Sequence, residues 1–191
     1  MTNLSSVSRD RAFYAINRRE LDRYKQIAKD TSLQELMKQA SKKRDEYWGK
    51  VITYSKKVFV PLTNMCRDTC GYCTFVKHPD DPEAKIMSPQ EVLVSAQIGE
   101  KKGCKELLFS LGEKPELRYS KPKKALKALG YETMTDYLQD MCELVLEETH
   151  LLPHVNAGTL SQYELKKLKN VSASMGMMLE TTSKRLNKKG E

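Results

Sequence analysis

Val58-Phe-Val-Pro-Leu-Thr-Asn-Met-Cys66-Arg-Asp-Thr-Cys70-Gly-Tyr-Cys73 joins an apolar run directly to three cysteines. The first five residues are rich in β-branched and aromatic side chains, which favours a buried strand over Val58–Leu62. The cysteines follow in a loop at the carboxyl end of that strand. Because thiolates bind soft metals, three thiols so close together indicate a metal or cluster site.

Strand and helix patterns alternate after this strand. The further predicted strands are Glu106–Leu111, Leu151–Asn156 and Val171–Met175, and the predicted helices span Ser88–Lys102, Pro122–Leu129 and Thr133–Thr149, with one more from Ser161. Ser88 and Ser161 each begin a capping box, a sequence form typical of helix starts. This alternation predicts parallel pairing through right-handed crossovers, and the strands lack the alternation of a sheet with one wet face. The predicted fold is α/β with about four parallel strands.

The first part of the chain follows a different pattern. From about Arg11 to Gly49, apolar residues recur at three- and four-residue spacing, as in amphipathic helices. Ser32-Leu-Gln-Glu35 has the capping-box form, so a second helix is expected to begin there. We therefore divide the chain into an N-terminal helical leader, residues 1–49, expected to pack on the main domain, and an α/β domain over residues 50–191.

Composition excludes several classes of protein. The 191 residues are 39% apolar and 30% charged, which is ordinary for a globular domain. No apolar run approaches the roughly 20 residues of a membrane span, and the start lacks a signal-peptide layout, so a soluble cytoplasmic protein without a membrane partner is expected. Five cysteines, an odd number, argue against a disulfide framework. Cys104 and Cys142 are expected to be small buried hydrophobic residues.

The net charge of +8 makes nucleic acid a partner to consider. Acidic residues interleave with the basic ones almost everywhere, and no predicted helix has a clean basic face with aromatic residues between. We therefore expect a solvated basic surface rather than a nucleic-acid site.

Polar residues follow the predicted strands at the edge where parallel strands end and where α/β folds bind ligands. They are Thr63, Asn64 and the cysteines, then Gly112 and Glu113, then Asn156, and finally Ser172 and Ser174 with Glu180 beyond. Structural zinc requires four closed ligands, and His78 is the candidate fourth ligand for that alternative. Three thiolates without a fourth ligand suit an iron–sulfur cluster whose remaining iron binds a small molecule.

The CxxxCxxC spacing of the three cysteines resembles the signature of radical S-adenosylmethionine (SAM) enzymes, with Tyr72 at the aromatic position before the last cysteine. Four longer segments resemble successive blocks of FO synthase subunit 1, the CofG family: Thr53–Phe75, Glu106–Glu116, Pro153–Gly158 and Ser172–Thr181. The resemblance covers about Lys50 to Leu186. It implies a radical SAM (β/α) barrel of the TIM type.

The resemblance also implies roles for individual residues. Cys66, Cys70 and Cys73 would hold a [4Fe-4S] cluster whose fourth iron takes the amino and carboxylate groups of SAM. Gly112 and Glu113 would meet the methionine ammonium, and Tyr72 would lie beside the adenine. Ser174 or Glu180 would contact the ribose or the methionine carboxylate, while His154 and Asn156 are candidate substrate residues.

The implied reaction belongs to coenzyme F420 biosynthesis. A 5′-deoxyadenosyl radical would abstract hydrogen from the adduct of a hydroxybenzyl group with a ribityl-diaminouracil, and ring closure with loss of ammonia would yield 7,8-didemethyl-8-hydroxy-5-deazariboflavin (FO). The implied partners are a CofH-type subunit that supplies this substrate and a reductant for the cluster.

The predicted strands depart from the family pattern, because radical SAM enzymes of this kind use at least six barrel strands. Four strands correspond to the N-terminal half of the barrel, so we expect either a fragment or a barrel completed by another polypeptide, without turnover by this chain alone. Two alternatives stay open at this point. One is another radical SAM enzyme, related to the menaquinone pathway or to biotin synthase, and the other is a non-enzymatic three-cysteine metal module that binds nucleic acid.

Overall fold

The computed structural model describes residues 18–186. Its six α-helices are α1 (Arg18–Asp30), α2 (Leu33–Trp48), α3 (Pro89–Lys101), α4 (Ser120–Ala128), α5 (Met134–Glu148) and α6 (Gln162–Lys169), and its four strands are β1 (Lys57–Val60), β2 (Glu106–Ser110), β3 (Leu152–Asn156) and β4 (Ser174–Met175). The start of the predicted first helix, residues 11–17, lies outside the described residues. Among those described, no helix has both the length and the apolar character needed to span a membrane.

The chain divides after Thr53 into two compact units. The first contains α1 and α2, neither of which has a buried residue. Ser32 caps α2 as predicted, since its Oγ accepts a hydrogen bond from the Glu35 amide at 3.2 Å. The predicted return contact of the capping box is not formed, because the Glu35 carboxylate accepts instead from Gln39 at 2.9 Å. Packing of the leader on the main domain stays a prediction.

The second unit is built on a parallel sheet with the strand order β1-β2-β3-β4. This confirms the predicted α/β class and the parallel pairing. The last strand is shorter than predicted, because only Ser174 and Met175 pair with β3. Val171 is buried in the core, and the Ser172 hydroxyl donates to the Leu168 carbonyl at 2.7 Å. These contacts hold both residues at the end of α6 rather than in the sheet.

The two faces of the sheet differ. Val60, Phe109 and Val155 are buried in the core on the face covered by α3 and α5. The opposite face, called the open face below, carries a row of residues paired across the four strands, namely Phe59, Leu108, His154 and Ser174. The prediction of strands without alternating burial was wrong, because β2 and β3 alternate buried and partly exposed positions. Apolar residues also occupy the open face, which hides this alternation in the sequence.

The helices that cover the sheet begin where their capping signals predict. Both Ser88 and Ser161 form complete capping boxes, with Glu91 and Glu164 respectively. Cys104 and Cys142 are buried, as expected, and burial raises the pKa of Cys142 to about 12. The two capping boxes fix where α3 and α6 begin.

Candidate cofactor site

The cysteine loop is held at its base by two residues that follow β1. The Thr63 hydroxyl donates to the Lys85 carbonyl at 2.9 Å. The Asn64 amide group donates to the Glu83 carbonyl at 2.8 Å and accepts from the Lys85 amide at 2.9 Å. The two ends of the segment 64–85 are therefore held together beside the end of β1. Thr63 and Asn64, predicted to be polar groups at this edge of the sheet, have a scaffolding role.

The three cysteines have different surroundings. Cys66 is half-buried, and its sulfur accepts hydrogen bonds from the amides of Asp68 (3.4 Å) and Glu113 (3.2 Å). Burial raises the pKa of the Cys66 thiol, and the two amides partly oppose this rise. Cys70 is exposed and Cys73 half-buried, and a turn closes between them through a 3.1 Å hydrogen bond from the Cys73 amide to the Cys70 carbonyl. All three thiols are free.

The zinc alternative gains no support from the position of His78. Its ring nitrogen Nδ1 lies 3.5 Å from the Asp80 carboxylate, and its ring packs edge-on against Tyr119. Within residues 18–186, no three His, Cys, Asp or Glu side chains are arranged to hold a metal ion. The structure thus brings Cys66 to Glu113, but it gathers neither the three cysteines nor His78 around one metal position.

Gly112 lies where the loops after β1 and β2 run side by side. A Cβ atom on Gly112 would lie 2.0 Å from the Met65 carbonyl oxygen and 3.0 Å from the Cys66 Cβ. The Gly112 amide donates to the Thr63 carbonyl at 3.0 Å, and the Arg67 amide donates to the Glu113 carbonyl at 2.9 Å. Only a residue without a side chain fits here, and it places Glu113 directly beside Cys66.

The Glu113 carboxylate is held on two sides. It forms an ion pair with the Arg67 guanidinium, and it accepts hydrogen bonds from the Thr159 hydroxyl at 2.5 Å and the Thr159 amide at 3.0 Å. Burial raises the pKa of Glu113, but the Thr159 and Arg67 contacts outweigh burial and lower it overall, so the group is ionised at neutral pH. Gly158 allows this approach, since a Cβ there would lie 2.4 Å from Glu113 Oε2.

The sequence did not single out Arg67 or Thr159, and Gly158 entered only as the last residue of a resembling segment. Gly158 has a φ of +69°, a conformation that favours glycine. A glycine two residues after a predicted strand end was the available signal. Nothing local in the sequence marks Arg67 or Thr159 as partners of Glu113.

His154 and Ser174 meet on the open face. His154 Nδ1 lies 2.6 Å from the Ser174 hydroxyl, and the two residues are register partners in β3 and β4. Asn156 is the last residue of β3 and pairs with Ser110. The three predicted residues thus share one sheet, and the Ser174 hydroxyl is engaged by His154 within it.

Tyr72 and Glu180, both predicted to contact SAM, lie together beside Cys70. The Tyr72 hydroxyl interacts with the Glu180 carboxylate and with the Cys70 thiol. Loss of solvent around the phenol, followed by these two negative neighbours, raises the pKa of Tyr72 to about 12. Both side chains are exposed. The structure therefore places two predicted residues next to the central cysteine of the loop.

The chemistry of three free thiols in one loop fits a thiolate-bound cluster, although among residues 18–186 their side chains are not gathered around one metal position. Three free thiols supply the soft ligands that iron–sulfur clusters take, and backbone amides that donate to cysteine sulfur tune such centres. Glu113 donates its backbone amide to Cys66 and carries an ionised carboxylate, which can bind a cationic group of a ligand.

Two solved structures share the fold of this chain. The FeFe-hydrogenase maturase HydG from Carboxydothermus hydrogenoformans aligns with a TM-score of 0.56 at 24% identity over 74% of this chain and 30% of its own. Methylornithine synthase PylB aligns with a TM-score of 0.59 at 18% identity over 91% of this chain and 47% of its own. At these identities the likeness establishes the fold, a partial TIM-like barrel.

Sequence relatives are closer. The 7,8-didemethyl-8-hydroxy-5-deazariboflavin synthase of Methanobrevibacter smithii is 52% identical over 151 residues, which are 78% of this chain and 43% of the relative. The FO synthase of Mycobacterium leprae is 51% identical over 139 residues, or 71% of this chain and 16% of the relative. The chain thus spans less than half the length of these relatives. The family model of the radical SAM superfamily matches residues 60–191, and the chain belongs to that superfamily.

Proposed function

We propose that this chain carries the SAM and cluster site of an FO synthase of coenzyme F420 biosynthesis. Cys66, Cys70 and Cys73 would hold a [4Fe-4S] cluster, and Gly112 and Glu113 would receive the amino group of SAM. The observation that carries the proposal is the 3.2 Å hydrogen bond from the Glu113 amide to the Cys66 sulfur. It holds the backbone of Glu113, whose carboxylate is ionised, next to the Cys66 thiol, and such a carboxylate would bind a cationic ligand group.

When bound, the cluster and SAM supply a 5′-deoxyadenosyl radical through one-electron cleavage of SAM. The residues of this chain bind and orient the two groups. Glu113 is ionised at neutral pH and is suited to an ammonium group. Tyr72 and Glu180 stand beside Cys70 and offer a ring face and a carboxylate to the adenosyl part, and Ser174 is a weaker candidate because it is bonded to His154.

The names of the sequence relatives support the proposed product. The substrate would be the hydroxybenzyl adduct of a ribityl-diaminouracil, supplied by a CofH-type subunit, and the product would be FO, with loss of ammonia. His154 and Asn156 would contact the substrate from β3, and a cellular reductant would serve the cluster. Since the M. smithii relative is aligned over only 43% of its length, turnover is expected of the whole barrel rather than of these residues alone. Free thiols fit a reducing cytoplasm.

Anaerobic reconstitution with iron and sulfide tests the cluster site. We expect about four irons per chain and broad visible absorption, both lost in Cys70→Ala because one thiolate ligand is removed. Cys104→Ala is the matched control, since that thiol is buried in the core outside the cysteine loop, and it should keep its iron. Iron content unchanged by Cys70→Ala would contradict the proposal.

Two further readouts separate the alternatives. Purified protein that holds zinc without iron and is retained on nucleic acid at physiological salt would indicate a binding module. If the completed barrel converts the hydroxybenzyl adduct to FO, a role in the menaquinone or biotin pathway is excluded.

A further inference from the structure

Most of the hydrogen-bond acceptor positions of the Glu113 carboxylate are occupied. An ionised carboxylate offers about four acceptor positions, two on each oxygen. Oε1 receives the Arg67 guanidinium and the Thr159 hydroxyl, and Oε2 receives the Thr159 amide. Among the contacts of residues 18–186, this leaves one acceptor position, which belongs to Oε2.

We propose that Arg67 and Thr159 are positioning residues that orient Glu113 so that its Oε2 receives the ammonium group of SAM. This inference rests on the proposed function, because it assumes that SAM binds at the cysteine loop. Arg67 and Thr159 thereby belong to the candidate site as positioning residues. Both hold Glu113 in place, and neither need touch the ligand.

Arg67 is itself fixed, which a positioning residue requires. Its amide donates to the Glu113 carbonyl at 2.9 Å, and its own carbonyl accepts from the Arg118 guanidinium at 2.5 Å. The ion pair is shielded from solvent on the Glu113 side, where the side chain is 11% exposed, while the Arg67 side chain is 35% exposed. A charged hydrogen bond in such a setting is stronger and more directional than one on the open surface.

Thr159 reaches Glu113 from the opposite side. It follows Gly158, whose φ of +69° and missing Cβ bring the loop after β3 against the carboxylate. Arg67 lies in the cysteine loop after β1, and Glu113 lies after β2. The contacts of Arg67 and Thr159 with Glu113 therefore connect the loops after three adjacent strands.

The test measures SAM affinity in the reconstituted full chain by isothermal titration. Arg67→Gln removes the guanidinium and Thr159→Val removes the hydroxyl, and each should weaken SAM binding about tenfold, as expected for the loss of a hydrogen bond to a charged group. Methylthioadenosine, which lacks the amino-acid part of SAM, should bind both variants within about twofold of the unchanged protein, because it does not use Glu113.

Lys77→Gln is the matched control, since Lys77 pairs with Glu83 in the same loop but does not contact Glu113. It should bind SAM as the unchanged protein does, and iron content is measured in every sample. Equal SAM affinity in all three variants would overturn the inference, as would a loss for methylthioadenosine as large as that for SAM. If Arg67→Gln fails to load its cluster, Thr159→Val alone decides. Unchanged protein that loads its cluster but does not bind SAM would instead refute the proposed function.

Discussion

Gly112 marks the closest approach between the cysteine loop and the loop after β2. Its α-carbon faces backbone atoms of Met65, which cannot move aside as a flexible side chain can. Gly158 has a comparable place beside Glu113. At the scale of single residues, the site is built by leaving out side chains so that charged and thiol groups can meet.

Gly112→Ala should push the cysteine loop away from β2. A Cβ atom 2.0 Å from the Met65 carbonyl oxygen forces a backbone shift, and overpacking of this kind costs about 1–3 kcal/mol in the free energy of unfolding. Urea titration measures the cost, and iron content should fall with it because Cys66 moves. Gly176→Ala is the control, since its Cβ would lie at an ordinary 3.7 Å from His154 Nε2. Equal losses in the two variants would show that the close contact is not the cause.

Glu164 joins three elements behind the candidate site. Its carboxylate accepts from the Ser161 amide at 2.7 Å, from the Lys114 ammonium at 2.8 Å and from the Thr135 hydroxyl at 2.9 Å. These partners belong to the start of α6, the loop after β2 and the first turn of α5. Burial raises the pKa of Glu164, but its hydrogen bonds lower it to about 2 overall. Because Lys114 follows Glu113, this contact anchors the loop that carries the proposed SAM ligand.

The Glu164 contacts predict a specific acid sensitivity. The pKa of Glu164 is about 2 in the folded chain against an ordinary 4.5, so its stabilisation is complete above about pH 4.5 and is lost as the pH falls toward 2. Glu164→Gln should lower the free energy of unfolding at pH 7 by about 2–3 kcal/mol and flatten its decline between pH 4.5 and 2.

Urea titrations at pH 7 and pH 3 measure this effect. Glu91→Gln is the comparison, since Glu91 has the same capping role in α3 but lies in a more exposed position, and its loss should be smaller. An unaltered pH profile in Glu164→Gln would rule out Glu164 as the source.

At the scale of the whole molecule, backbone pairing decreases from the central strand β2 toward the edge strand β4. The strand β2 pairs along its full length with β3 and over its first four residues with β1, whereas β4 contributes only two residues at one edge. The core lies entirely on the helix-covered face, and α1 and α2 bury no residue. Local opening should therefore begin far from β2.

Amide hydrogen exchange followed by mass spectrometry should reproduce this gradient. We expect β2 and the buried side of α5 to exchange most slowly, at rates set by global unfolding, and β4 and the two N-terminal helices to exchange at least about a hundredfold faster. Protection of β4 equal to that of β2 would contradict the gradient. It would indicate that the edge and the open face are covered in solution, for example by a second polypeptide.

Local sequence signals account for much of this fold. Capping boxes at Ser88 and Ser161, the glycine that ends α2 and the alternation of strands with helices all depend on residues a few positions apart. The spacing of the three cysteines, which are also close in sequence, predicted a metal or cluster site. The short β4 was not predicted, because Ser172 hydrogen-bonds to the end of α6 instead of joining the sheet. The alternating burial was not predicted either, because apolar residues occupy both faces of the sheet.

By itself, the sequence determined the α/β class, the positions of its helices and the loop with three thiols, since each is encoded in neighbouring residues. Only the tertiary structure decided which groups surround that loop. Arg67 and Thr159 each lie 46 positions from Glu113, and His154 lies 20 positions from Ser174. Contacts over such separations depend on the register of parallel strands and on the glycines that let their loops approach, and no local pattern of residues encodes that register.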